Sequence, residues 1–192
     1  MQNPNLPGES STIPEVLDRR EREYLLGRSR VTMKSSLENI EAGDFKIQSL
    51  RSGESVELPR WVAEELVRLD VAETTEEPFE TELFKALGRE KMLGPFQLSS
   101  LAPEFYMMMR RRLAYLGAAA RDGRVRKEDY EKIRASSYDL VGVRLGKLLS
   151  ISSSSASLST IAEKLTPEER AFFALSQSFS KEWKGALLRD EP

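Results

Sequence analysis

The spacing of apolar residues changes at Pro78, and that change limits the possible folds more than any other feature of the chain. Before it, Val31 and Met33, Phe45 and Ile47, and Val56 and Leu58 recur at a period near two, the alternation of half-buried strands. After it, apolar residues step by threes and fours, the period of amphipathic helices. A chain of 192 residues divided this way is expected to be an α+β protein: a small strand-rich α/β module followed by an all-α helical-bundle domain. The expected limits are 1–29 for a partly flexible N-terminal tail, 30–77 for the small module and 78–188 for the helical domain.

The first fifteen residues carry Pro4, Pro7 and Pro14 among Ser, Gly and Asn, a composition that does not repay the entropy of ordering. Glu15 to Leu26 reads as a short charged helix anchored by Val16, Leu17, Tyr24 and Leu25. In the module, turns at Ala42-Gly43 and Ser52-Gly53 bound the strands. Pro59 suits the first turn of a helix running from Arg60 to Leu69. Trp61 falls on its apolar side and reads as a core anchor, and Val71 to Glu73 reads as a returning strand.

The helical part divides into Phe79–Leu93, Pro103–Arg121, Val125–Ser152, a short turn near Leu158–Lys164, and Thr166–Leu188. Thr166-Pro167-Glu168-Glu169 has the capping-box arrangement, a hydroxyl at the cap, proline at the first helical position and an acid three residues on. In the longest helix Tyr130, Ile133, Ser137, Val141, Leu145, Leu148 and Ile151 are expected to form one buried stripe. Ser150 to Ser159 reads as a flexible loop. Met107, Met108 and Met109 cannot all face one core, so at least one is expected to meet another subunit.

The chemistry open to the chain is narrow. With no cysteine and no histidine there is no disulfide, thiolate nucleophile, imidazole base or Cys/His metal site. The acidic doublets Glu64-Glu65, Glu76-Glu77, Glu128-Asp129 and Glu168-Glu169 are adjacent rather than facing, and read as solvated faces. Gly-rich phosphate loops are missing, so no catalytic residue, metal or cofactor is assigned. No apolar run approaches the roughly 18–20 residues of a membrane span, and Met1-Gln2-Asn3-Pro4 lacks the order of a signal peptide. No membrane partner and an intracellular setting are therefore expected.

The formal charge is only −2, so any basic function must be local. Between Arg110 and Lys147, eleven Lys and Arg face five Asp and Glu. Arg110, Arg112, Arg144 and Lys147 are the candidates for phosphate contacts, or alternatively for salt bridges, some of them with the acidic 70–90 stretch.

Three segments resemble one family. VELPRWVAEELVRLDVAE (Val56 to Glu73) resembles the small B domain of GINS complex subunits. LAPEFYMMMRRRL (Leu101 to Leu113) and YDLVGVRLGKLLSIS (Tyr138 to Ser152), followed by LTPEERAFFALSQSF (Leu165 to Phe179), are similar to the GINS A domain. The resemblance spans about residues 44–184. The B-like module stands first, the order of one archaeal class, while the A-like motifs are closer to the class with the opposite order; both classes stay open.

The resemblance implies a non-catalytic, cytoplasmic and nucleoid-associated DNA-replication subunit. It would assemble with other GINS subunits as a homo- or heterotetramer and bridge the MCM helicase to a RecJ-like partner, with weak DNA contact at most. It further implies that Phe105, Met108, Tyr138, Leu145, Phe172, Phe179 and Trp183 divide between the core and subunit contacts, and that Arg144 and Lys147 make salt bridges inside the assembly. The alternative is a nucleic-acid-binding module using residues 110–147.

Overall fold

The computed structural model describes residues 13–42, 45–154 and 161–188. They form two compact units divided between Glu77 and Pro78, and the α+β class holds. Residues 1–12 of the proline-rich segment and residues 155–159 of the expected loop lie outside the described residues, while Ser150 to Ser152, expected in that loop, end the last long helix before it.

The small unit opens with α1 (Ile13–Leu26) and continues as β1 (Arg28–Met33), β2 (Ile40–Ala42), β3 (Phe45–Ile47), β4 (Ser55–Pro59), α2 (Arg60–Arg68) and β5 (Ala72–Thr74). Three antiparallel strands in the order β4-β1-β5 make its main sheet, with Val31 opposite both Val56 and Thr74. Because side chains alternate across a strand, β1 sends Ser29, Val31 and Met33 inward, where Leu58, Val62, Leu66 and Ala72 close over them. The outward residues pair across the strands, Arg30 with Glu57 at 2.7 Å and Thr32 with Ser55 at 3.0 Å. β2 is a strand the sequence did not announce, since it is three residues long and ends in the Ala42-Gly43 turn signal; it pairs with β3.

Two expectations for this unit are corrected. Residues 13–29 belong to the folded unit rather than to a tail, because Tyr24 is buried with the Arg60 guanidinium 4.5 Å above its ring. Arg60 also binds Glu76 at 2.9 and 3.1 Å, and its backbone N–H donates to the Gly27 carbonyl at 2.7 Å. Trp61 is 44% exposed and not a core anchor. On α2 the buried side is carried by Val62, Ala63 and Leu66. The helix ends in a Schellman turn: Asp70 takes φ 60°, and the Val71 and Asp70 N–H groups reach the Leu66 and Val67 carbonyls.

Among the described residues the helical unit contains α3 (Phe79–Met92), α4 (Phe105–Arg121), α5 (Lys127–Ser152), a 3-10 turn (Ala162–Lys164) and α6 (Pro167–Leu187). Gly123 at φ 71° closes α4 by the same device, with Arg124 N–H on the Ala119 carbonyl at 2.8 Å, and turns the chain straight into α5. The capping box at Thr166 is complete, its hydroxyl accepting from Glu169 N–H and the Glu169 carboxylate from Thr166 N–H. Two apolar clusters fill the unit, one of Phe79, Leu83, Ala86, Phe105, Leu116, Ile133 and Leu140, the other of Leu98, Leu148, Ile151, Leu165 and Phe173.

The buried stripe of α5 keeps Ile133, Ser137, Leu148 and Ile151 of the expected one but is rotated in its middle. It runs Ile133, Ser137, Leu140, Arg144, Lys147, Leu148 and Ile151, while Val141 and Leu145 are exposed. The methionine expectation also changes. Met107 is buried, and Met108 and Met109 pack half-buried against the first cluster, so all three are accommodated within the unit.

Leu83→Ala is expected to lower the unfolding free energy of the helical unit by about 2–5 kcal/mol, because it empties a fully enclosed site. Met92→Ala, at an exposed position, is expected to change it by less than about 0.5 kcal/mol. Urea titrations followed by helical circular dichroism measure both.

Candidate assembly surface and the ionic cluster behind it

Arg144 has no solvent exposure, yet it carries a full charge. Its guanidinium lies between two carboxylates. Nε and Nη2 donate to the two oxygens of Glu169, the second at 2.7 Å, and Nη1 donates to Glu90 Oε2 at 2.8 Å. Nη1 also reaches the Ser99 carbonyl at 2.9 Å, and Nη2 the Lys164 carbonyl at 3.3 Å. Glu90 in turn accepts from the Ser99 hydroxyl and backbone N–H and from Lys147 Nζ at 2.8 Å. Lys147 Nζ continues to the carbonyls of Glu90 and Leu93, where a cation belongs at the end of α3. The Tyr106 hydroxyl donates to Glu169 Oε1 at 2.7 Å.

Two cations and two carboxylates therefore cancel inside the unit, and one cluster ties α3, α4, α5, α6 and the segment before α4 together. Along α5 it separates Leu140 of one apolar cluster from Leu148 of the other. Its polar atoms are paired, which is the condition for tolerating buried charge. Burial alone would raise the Glu90 pKa. The hydrogen bonds from Lys147 and Ser99 and the charge of Arg144 outweigh it and hold the carboxyl below its usual range. Burial followed by the Glu169 carboxylate pushes the Tyr106 phenol upward, so it stays protonated and donates. Burial works against the Arg144 charge, and the hydrogen bonds and charge of Glu169 outweigh it, so the guanidinium pKa is raised.

Turning Arg144 and Lys147 inward turns another side of α5 outward. Tyr138, 67% exposed, Val141, Leu145 and Leu149 follow one another at three- and four-residue steps and form an uncovered apolar stripe. A second stripe runs along α6 as Leu175, Phe179, Trp183 and Leu187, each four residues apart, with Phe179 69% and Trp183 58% exposed.

Of the residues expected at subunit contacts, Tyr138, Leu145, Phe179 and Trp183 lie on these stripes. Phe105 is enclosed in the first apolar cluster, and Met108 and Phe172 pack half-buried against their clusters. Leu149, Leu175 and Leu187 complete the stripes without a signal in the sequence reading, and Val141 joins them from the expected buried side. Pairing with the acidic 70–90 stretch, one of the two roles open to the cations, is what Arg144 and Lys147 do with Glu90; Glu169 was not expected as an ionic partner, because its doublet with Glu168 read as solvent-facing, although the capping box turns it toward its own helix start.

Much of the basic stretch is engaged within the chain. Arg144 and Lys147 are buried, Arg112 binds Glu80 at 2.6 Å, and Arg124, Arg126 and Arg134 bind Asp122, Asp129 and Glu131. Lys132 sits 5.4 Å over the Phe84 ring, and the exposed Arg110 is also engaged. Among the described residues no group of three acidic side chains is placed to hold a metal ion, and no helix is long and apolar enough to cross a membrane. No protein-family model matches the chain, and no curated protein matches it.

Since the folded-state pKa of Glu90 lies below the unfolded value of about 4.3, its stabilising contribution is complete above that value and is lost as pH falls through the folded one. Glu90→Gln is expected to cost about 3 kcal/mol at pH 7, since it leaves Arg144 and Lys147 undercompensated. The deficit against the parent should shrink toward pH 3. Urea midpoints measured across pH 3–7 give both numbers.

Proposed function

We propose that this chain is a non-catalytic assembly subunit of a replicative helicase, of the GINS kind, that joins other subunits through its helical unit and bridges an MCM-type motor ring to a RecJ-like partner. The observation that carries the assembly part is the pair of uncovered apolar stripes on α5 and α6. Contiguous apolar surface of that extent marks an interaction site on a soluble protein. The replication part is supported by the similarity of Val56–Glu73, Leu101–Leu113, Tyr138–Ser152 and Leu165–Phe179 to GINS segments. The order of the units, with the sheet-containing one first, agrees with one GINS class.

Direct nucleic-acid binding is the weaker reading. Most cations of residues 110–147 are committed to intramolecular carboxylates, which removes the concentrated charge that phosphate neutralisation requires.

Mixing the purified chain with an MCM ring and a RecJ-like protein tests the proposal. Co-elution of all three on size exclusion is expected, with no complex between the ring and the RecJ-like protein when the chain is omitted. Separate elution of the chain at micromolar concentrations would contradict the bridging role. In the same preparation, forked DNA titrated at about 50 and 200 mM salt is expected to bind weakly at both; a loss of affinity of about 1,000-fold between them would favour the nucleic-acid reading instead.

A further inference from the structure

Helix α6 is held firmly at one end only. Its first turn is fixed by the Thr166 capping box, by Pro167, by the double bond between Glu169 and Arg144, and by Phe173, which is fully enclosed. After Phe173 no residue of α6 is buried, and every residue from Lys181 to Leu188 is exposed. Among the described residues of the fully exposed stretch, a side-chain tether runs back to the unit from Lys184 Nζ to the Ser153 carbonyl at 2.6 Å.

The exposed half is not simply a polar extension. Glu169 and Leu187 stand five helical turns apart at about 3.6 residues per turn and so point the same way. The first is buried in the ionic cluster and the second is exposed. The face that packs inward at the root of the helix thus continues outward as apolar surface beyond the body of its own unit. An isolated helix of this length is marginal in water, and Ser176, Ser178, Ser180 and Gly185 weaken it further.

The α5 stripe offers matching cover. Like the arm, it is a single helical row of four apolar side chains. With about 150–250 Å² for each of the three whole aromatics, less for each of the five aliphatics, and between 36% and 69% of each exposed, the eight side chains of both stripes present several hundred Å² of apolar surface. One partner in a stable interface contributes about 800 Å². Two copies placing arm on stripe reciprocally cover both stripes of each chain and form a closed pair. Gly142 and Gly146 lie beside the α5 stripe with open space where a Cβ would stand, so another helix can approach closely.

We propose that the second half of α6 is an arm whose helix is completed only when a second copy of this chain covers it, with the α5 stripe of that copy as its dock. Below the association threshold the arm frays back toward the ionic root; on association its apolar row is buried and the helix runs to Leu187. The inference rests on the assembly part of the reading above and not on its replication part.

Amide hydrogen exchange on the full-length chain, run from dilute to concentrated samples with the mass followed by light scattering, tests it. At dilution, amides of residues 177–187 are expected to exchange on the order of 100-fold faster than those of residues 171–173, and to approach them as the mass doubles. In Trp61→Phe, where Trp183 is the sole tryptophan, emission is expected to shift to the blue over the same range.

Tyr138→Glu/Leu145→Glu changes two exposed residues, and its helical content at dilution shows that it folds. It is expected to abolish both changes. Strong protection along all of α6 in the monomer overturns the proposal, as does weak protection at every concentration with a mass fixed at one chain. Unchanged concentration dependence in the double variant overturns the assignment of α5 as the dock. A chain that passes these tests but ignores an MCM ring sinks the replication reading alone.

Discussion

The helical unit is organised around a charge it has to neutralise. Arg144 sits on the inward side of α5 without solvent contact, and the geometry of its five donors demands acceptors from several directions. Glu90 from α3 and Glu169 from α6 supply them, and Lys147 balances the second carboxylate. A hydrocarbon interior tolerates small rotations of its helices, since apolar contact is not directional. A guanidinium held between two carboxylates does not, because each hydrogen bond weakens steeply when misaligned. The cluster is therefore read as setting the rotation of α5 and the angle at which α6 leaves the body.

That rotation has a consequence on the far side. With Arg144 and Lys147 inward, Tyr138, Val141, Leu145 and Leu149 are turned outward, since the centres of the two sets lie about a third of a turn apart on one helix, with Val141 nearest the boundary. The same cluster grips α6 by its first turn and lets its apolar row run past the last packed residue, Phe173. Buried charge in the core is thus accompanied by apolar rows left outside. This is the physical content of the subunit reading, and it stands apart from the question of which machine the subunit serves.

Much of the architecture was legible in the residues. The period change at Pro78 marks where the units divide, the alternation in β1 and β4 matches their inward and outward sides, and Thr166-x-x-Glu169 marks the start of α6. What escaped was decided by distance along the chain. Arg144 and Glu90 are 54 residues apart, and local spacing carries no sign that one will meet the other. The acidic 70–90 stretch is legible as a partner for these cations, but not which acid meets which cation or that the pair is buried, so the apolar spacing puts Val141 and Leu145 on the buried stripe, a rotation of the helix that polarity alone recommends. Trp61 was misplaced for a similar reason, since Val62, Ala63 and Leu66 already fill the space under α2. Tyr24, by contrast, was named as an anchor and is one, although the Arg60–Glu76 pair that covers it is again long-range.

The claim that the ionic cluster, and not apolar packing, fixes the helical unit is tested most directly by a double-mutant cycle on Arg144 and Glu169 using Arg144→Met and Glu169→Gln. Each single change strands a buried partner, so each is expected to cost about 3–5 kcal/mol, with the double variant costing no more than either alone. Two small and additive costs would mean that α5 and α6 hold their places without the charges, and the account of what faces outward would lose its cause.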